Sequence, residues 1–454
     1  MIIGKERATE ILENTVRLAQ TKGADSAFVL LRNVSQKLTR YSNNAIENST
    51  DSVEPQLYIR VSTGNKMAEA SCSRLDDEAC TWLAEMCVSN ALASHPAKRV
   101  PLLSRPPCVV REIKSYDEAT AGMSAEERAH LIIRAVKRVG QRSDVRLYGN
   151  AVTGFEERAI ANSNGVSLYF IGSTARLQVT ALADTRGAGL ARHLGRSMQA
   201  AAPELLADDA LFKAAHFGEF KDVDPGEYEV VLLPDAGAEL LHHLGYLGFS
   251  GSGHLNGSSC FASQIGEMVL SPEVSICDDP LRPEHMCEPF DYEGTPKSTL
   301  KLVEKGVVRG AVYDLETAQK AGTASTGHAL PPEGYWFSEG PYASHLVLEP
   351  GNSTREELVS GVERGLLITA FHYTRPLDQK RAILTGMTRN GTFLIEKGKI
   401  AAMLPNLRFT VSAVTLLKNV ISVGNDLTLA GDYMYNMSPS LRTTRFSVTG
   451  KTSG

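Results

Sequence analysis

The stretch Tyr228-Glu229-Val230-Val231-Leu232-Leu233-Pro234-Asp235-Ala236-Gly237-Ala238-Glu239-Leu240-Leu241-His242-His243-Leu244-Gly245-Tyr246-Leu247 sets the architecture of the second half of this chain. Its opening apolar run reads as a strand. Asp235 stands where a helix N-cap belongs, and a helix is predicted near 236–247. Gly248-Phe249-Ser250-Gly251-Ser252-Gly253-His254 then carries too many glycines for a regular element and reads as a loop. The rest is mainly strands. Two segments in it, Leu302–Val308 and Leu394–Ile400, share a Glu-Lys-Gly turn and read as hairpins, the glycine supplying the left-handed position.

Working back from this stretch, residues 217–227 read as a linker. Before it, small and apolar residues at 8, 11, 12, 15, 16 and 19 mark one face of a helix over 5–22. Ala27–Leu31 reads as a buried strand, and Leu57, Ile59 and Val61 as a half-buried one. A second helix carries Leu75, Ala79, Leu83, Met86 and Leu92. Pro96, Pro101, Pro106 and Pro107 mark an extended loop. Ser124-Ala125-Glu126-Glu127 is a capping box opening a third helix. Strands run from 146 to 184, with Asn164-Gly165 predicted as a type I′ hairpin turn, and a helical segment follows around 201–215. The fold class expected is α+β in two domains: a mixed α/β domain over 1–216 and a strand-rich, barrel-like domain over 217–454.

Composition excludes several function classes. Of 454 residues, 43% are hydrophobic and 22% charged, with a formal net charge of -5, so nothing suggests a nucleic-acid partner. The N-terminus turns charged at once, and no apolar run approaches the roughly 20 residues needed to span a bilayer. A cytoplasmic protein with no membrane contact is expected. The seven cysteines, without a Cys-x-x-Cys pair, read as reduced and mostly buried thiols. Cys277, His285 and Cys287 cluster in sequence, but their spacing fits no common zinc module.

Chemistry is harder to place. Adjacent His242 and His243 point about 100° apart on a helix and cannot easily share one metal. Zinc helices place two histidines one turn apart, whereas Tyr246 and Leu247 occupy those positions here. On residue chemistry these histidines are structural or interfacial. Gly251-Ser252-Gly253 lacks the spacing of a nucleophile elbow. Asp278-Asp279 and Asp291 with Glu293 read as solvated turn carboxylates ahead of magnesium ligands. Ser325-Thr326-Gly327-His328 is either a ligand-contacting loop or a plain turn.

Several ordered segments together resemble the TldD/TldE (PmbA) metallopeptidase family. They are Phe261–Glu267 followed by Asp278-Asp279, Pro289–Pro296, Lys305–Gly310, Ser325–Ala329, Gly391–Gly398 and Val423–Asp426, with Lys22–Asp25 near the start. The resemblance spans nearly the whole chain. It implies a zinc site built from a His-Glu-x-x-x-His helix and a cysteine close to the C-terminus. Here those helix positions fall on His242, His243 and Leu247, and no cysteine follows Cys287. The chain is therefore similar to the TldE (PmbA) kind, without catalytic residues or zinc of its own. The resemblance implies a heterodimer with a TldD-like, motif-bearing subunit that carries the zinc, a homodimer being possible when the chain is alone. It also implies a cavity for unfolded or modified peptides, with Ser252, His254, Ser325, Thr326, Gly327 and His328 as candidate contacts. Two other readings stand beside it. One is a stand-alone hydrolase using His242, His243 and His254 with Glu239 as an unrecognised metal site. The other is a regulatory binding protein, as in older descriptions of the family as a modulator of DNA gyrase.

Overall fold

The structure is a computed structural model that describes residues 1–140, 142–184, 187–215, 220–338 and 340–451. The predicted boundary at 216/217 and the first part of the predicted linker lie outside the described residues.

The first half runs α1 (Lys5–Thr21), β1 (Ser26–Ser42), β2 (Ala45–Thr63), β3 (Lys66–Cys72), α2 (Asp77–Ala93), α3 (Glu118–Gly122), α4 (Ala125–Lys137), β4 (Val145–Asn162), β5 (Ser167–Ala183), β6 (Ala188–Gly195) and α5 (Pro203–Ala215). Its strands form one antiparallel sheet in the order β3-β2-β1-β4-β5-β6. Alternation along β1 decides what each face buries. Ala27, Val29 and Leu31 enter a core with the apolar faces of α1 and α2, while Phe28 and Leu30 project oppositely and pack with Phe290 of the second half. α1 buries the six positions that its periodicity predicts. The Ser124 capping box is present in both directions: Glu127 N–H donates to Ser124 Oγ at 3.2 Å and Ser124 N–H to Glu127 Oε2 at 2.7 Å.

The second half runs β7 (Gly226–Leu232), α6 (Pro234–Leu247), α7 (Gly251–Asn256), β8 (Ile276–Asp278), β9 (Leu300–Glu304), β10 (Val307–Val308), α8 (Leu315–Ala321), β11 (Leu346–Leu348), α9 (Arg355–Ser360), β12 (Arg364–Asp378), β13 (Ile383–Glu396), β14 (Lys399–Met403), β15 (Leu407–Ser412), α10 (Ala413–Lys418), β16 (Val420–Val423), β17 (Thr428–Ala430), β18 (Asn436–Ser438) and β19 (Leu441–Lys451). The barrel-like expectation is met. β7 pairs with β12 and β19, β19 with β15, β15 with β13, and β13 returns to β12, closing a five-stranded ring. Closure removes the free edges that an open sheet would expose. A second, six-stranded sheet in the order β10-β9-β8-β11-β18-β17 packs beside it, with α6 between. None of the described helices is long and apolar enough to cross a membrane.

Local differences from the sequence reading have physical causes. Both predicted Glu-Lys-Gly hairpins form, but Lys305 and Lys397 share the positive φ with Gly306 and Gly398, so two left-handed residues make each turn. At Asn164-Gly165 only the glycine has positive φ, and Asn162 N–H donates to Val166 O across a three-residue loop. That is a turn with a glycine bulge and not type I′. Asp235 is not the N-cap: Leu233 holds that position and Pro234 is the first helical residue, where a missing N–H costs nothing. Asp235 instead pairs at 3.1 Å with Arg192 of β6, tying α6 to the first half. All seven cysteines are free, and Cys80, Cys87, Cys277 and Cys287 are buried.

Candidate functional site

α6 leaves the barrel from β7 and packs along β12 and β18, so most of its residues are buried. Two glycines set how closely it packs. A Cβ on Gly237 would collide with the Ser438 side chain, and one on Gly245 would stand 2.5 Å from Tyr342 Cε2. Gly245 thus lets the Tyr342 ring lie against the helix, where its hydroxyl is 2.9 Å from His242 Nδ1. Tyr246, Phe337, Tyr342 and Tyr433 surround the His242 ring. Burial pushes His242 down to about 3, with His243 adding to the effect, so the ring is neutral at physiological pH. The His243 ring meets it edge-on, with centroids 5.1 Å apart, and its Nδ1 bonds the Glu239 carbonyl one turn back at 2.9 Å. Burial lowers it too, against the backbone bonds to Glu239 and Thr374. Leu247 is a buried core residue. Glu239 is half-buried and raised to about 7, chiefly by burial, against a Thr374 hydrogen bond.

These residues do not fit zinc. Tight sites take three protein ligands plus water. Here one imidazole nitrogen of His242 is committed to Tyr342, His243 is tied to its own helix, and the third helix position is an aliphatic side chain. His254 bonds the Gly248 carbonyl through Nε2 at 2.8 Å, beyond the far end of α6. Gly248 lies six residues past His242, roughly 9 Å along the axis, so His254 does not complete a set with His242, His243 and Glu239. Among the described residues, no three His, Cys, Asp or Glu side chains stand together as a metal-ligand group.

Of the remaining candidates, Ser252 and His328 each line a separate cavity, whereas His254 lines neither. One, of about 270 Å³, lies at the C-terminal end of α6 and is lined by Leu247, Ser252, Trp336 and Phe337 among others. The second, of about 260 Å³, lies between the two halves, and His328 is in its wall. Ser325, Thr326 and Gly327 shape the turn that delivers this histidine. Ser325 Oγ and Thr326 Oγ1 each lie 3.1 Å from the Tyr313 carbonyl, Tyr313 N–H donates to Thr326 Oγ1 at 2.7 Å, and Gly327, at φ 76°, donates to Ser325 Oγ at 3.2 Å. Both nitrogens of His328 are engaged, Nδ1 with Thr326 Oγ1 at 2.9 Å and Nε2 with Asp278 Oδ1 at 3.0 Å. Asp278 also accepts the His345 N–H at 2.9 Å. Burial opposes its ionisation, but His328, His345 and Lys297 outweigh burial and hold the carboxyl well below the usual range.

Asp278 and Asp291 are therefore not the solvated turn carboxylates that the sequence suggests. Both are fully buried, and Asp291 accepts the backbone N–H groups of Glu293, Thr295 and Ala329. The sequence reading also missed most of the cavity between the halves. Glu156 and Thr174 come from the first sheet and Arg196 from the residue after β6; Glu288, Lys297 and His345 come from the second half. Behind them Arg158 is wholly buried, 3.0 Å from Glu288 and 4.2 Å above the Tyr292 ring. An arginine directly before Ala159-Ile160-Ala161 in a strand was the available signal.

Known proteins resemble this chain in sequence and in fold. The PmbA/TldA metallopeptidase central domain matches residues 111–216, and the C-terminal domain of the same family matches residues 225–450. A metalloprotease of Methanothermobacter thermautotrophicus is 27% identical over 208 residues, 45% of this chain and 44% of that protein. A Buchnera aphidicola protein named as a metalloprotease TldD homolog is 23% identical over 329 residues, 67% of this chain and 66% of its own length. The matches thus span from under half to about two thirds of these relatives. Among solved structures, TldE from Thermococcus kodakarensis has the same fold at a TM-score of 0.89 and 18% identity, covering 96% of this chain and 99% of that one. A Thermotoga maritima protein proposed as a modulator of DNA gyrase superposes at 0.85 with 21% identity over 97% of this chain and 99% of its own. With two domain matches of one family across most of its length, and that family's fold, the chain belongs to the PmbA/TldD metallopeptidase family.

Proposed function

We propose that this chain is the TldE (PmbA) type of subunit, non-catalytic by itself, in a heterodimeric zinc peptidase that cleaves unfolded or modified peptides in the cytoplasm. The observation that carries the reading is α6. Its His242, His243 and Leu247 offer no ligand set for zinc and no carboxylate at the general-base position. In this reading zinc and catalysis reside in a TldD-like partner, and the present chain supplies part of the wall around the peptide.

The test is zinc content and peptide hydrolysis, measured on the purified chain and on its mixture with a motif-bearing paralogue. Neither zinc nor hydrolysis from the chain alone, with hydrolysis in the mixture exceeding that of the paralogue alone, is expected. One tightly held zinc per chain with chelator-sensitive hydrolysis by the chain alone would overturn the reading and favour a stand-alone hydrolase.

A further inference from the structure

Trp336 is 83% exposed, although tryptophan is among the more deeply buried side chains on average. Its ring meets those of Phe337 and Tyr433 nearly at right angles, with centroids 5.5 and 6.1 Å apart. Phe337 in turn lies 4.8 Å from the His242 ring and 5.6 Å from that of Tyr246. The indole is thus the open end of the aromatic cluster around α6. Exposed apolar surface inside a polar rim marks an interaction site.

Trp336, Phe337 and Tyr246 line the cavity of about 270 Å³ at the C-terminal end of α6. Among the described residues, no charged side chain lines it. Its rim carries two side-chain amides, Asn256 and Gln379, both exposed and so within reach of a ligand. Asn256 Oδ1 accepts the Ser258 N–H at 2.9 Å, and its NH2 group has no acceptor among the described residues. The Gln379 side chain makes no hydrogen bond to any described residue. The cavity therefore offers flat apolar surface and neutral donors and acceptors, with no counter-charge. A charged occupant would lose hydration there without gaining a partner. An apolar cavity of about 150 Å³ holds a benzene ring, so this one has room for an aromatic ring and the amide groups beside it.

We infer that this cavity binds an uncharged peptide segment through an aromatic side chain, the ring against Trp336 and Phe337 and the adjacent main-chain amides on Asn256 and Gln379. The inference rests on the subunit reading only in naming a peptide as the source; a free aromatic compound presents the same ring. Trp336 is then a specificity-determining residue, since it supplies the accessible face on which the ring stacks.

The chain has two tryptophans, and the other, Trp82, lies on α2 of the first half. Trp82→Phe therefore leaves Trp336 as the sole reporter, and its fluorescence follows binding to the full chain without partner, zinc or hydrolysis. A failure here leaves the subunit reading standing. The probes are blocked pentapeptides, N-acetyl-Gly-Gly-Xaa-Gly-Gly-amide with Phe, Leu, Glu or Lys in the centre, and p-cresol as a free aromatic. The phenylalanine peptide is expected to bind roughly 5-fold more tightly than the leucine peptide, the scale of one ring–ring stack, and at least 10-fold more tightly than the glutamate peptide. Isothermal titration of Trp336→Leu should show the preference for phenylalanine over leucine abolished. Gln379→Ala, an exposed change, should weaken both of those peptides roughly 3-fold, the scale of one neutral hydrogen bond; unchanged affinity would overturn the amide contact. Equal affinity for the phenylalanine and leucine peptides, or no binding of either, overturns the inference. So does tighter binding of the lysine peptide, which would make the cavity a cation–π site. Binding of p-cresol as tight as that of the phenylalanine peptide would assign the cavity to small aromatics and overturn the peptide assignment.

Discussion

Replacing Arg158 with methionine isolates one of the fully buried charges of the described residues. Arg158 is 0% exposed, pairs with Glu288 at 3.0 Å, and has its guanidinium 4.2, 5.5 and 5.7 Å from the rings of Tyr292, Phe170 and Phe290. Methionine keeps an unbranched apolar stem but removes the positive charge, stranding the Glu288 carboxylate. Breaking a buried pair in this way typically costs about 3–5 kcal/mol. Two features place Arg158→Met at the lower end, about 3 kcal/mol. Lys297 still faces Glu288 at 3.7 Å, and Arg158 Nε and Nη1 have no acceptors among the described residues, so their removal relieves an unfavourable burial. Urea unfolding at pH 7, followed by tryptophan fluorescence and far-ultraviolet circular dichroism, measures the loss. Glu288→Gln in the Arg158→Met background should return at least 1.5 kcal/mol of it, since removing both charges of a buried pair is far less damaging than removing one. A loss under about 1 kcal/mol for Arg158→Met, or no recovery in the double variant, would show that Glu288 does not depend on this arginine.

Two further predictions follow from packing and charge. Gly245→Ala should destabilise the chain by about 1–3 kcal/mol in the same unfolding assay, although alanine is the better helix former, because the new Cβ would meet the Tyr342 ring at 2.5 Å; an increase in stability would mean that the ring moves freely. Asp278→Asn should cost about 2–3 kcal/mol at pH 7 by weakening charged hydrogen bonds to His328 and the His345 N–H. Because the folded-state pKa of Asp278 is depressed, its contribution is full above the unfolded value near 4 and is lost as pH falls further, so wild type and variant should converge in urea titrations below about pH 4. A gap that stays constant from pH 7 to pH 3 would contradict the assignment.

What the sequence disclosed tracks how local the cause is. The Ser124 capping box, the face of α1 and the Glu-Lys-Gly hairpins depend on residues within one or two turns of each other, and all were legible. The placing of His242, His243 and Leu247 on one helix was legible as well, because the strand before them and the apolar spacing around them are local signals. Long-range geometry was not. Asp235 looked like a cap because nothing nearby in sequence reveals Arg192. A barrel-like domain was expected, but which strands close it was not legible: β12 and β13 pair across register shifts for which alternation gives no sign. The cavity between the halves joins Glu156 and Arg196 to His285 and Lys297, and only the folded sheet order brings those segments together.

Closure of the five-stranded ring also fixes an order of assembly. β7 opens the second half, yet its antiparallel neighbour β19 is made roughly 200 residues later, so the ring cannot be sealed while synthesis is under way on the intervening chain. The first sheet, whose pairings lie within residues 26–195, has all its strands available well before that. A ribosome-bound chain would thus carry a first sheet with every strand available and an unclosed ring, with β7 waiting for β19 and α6 for β18.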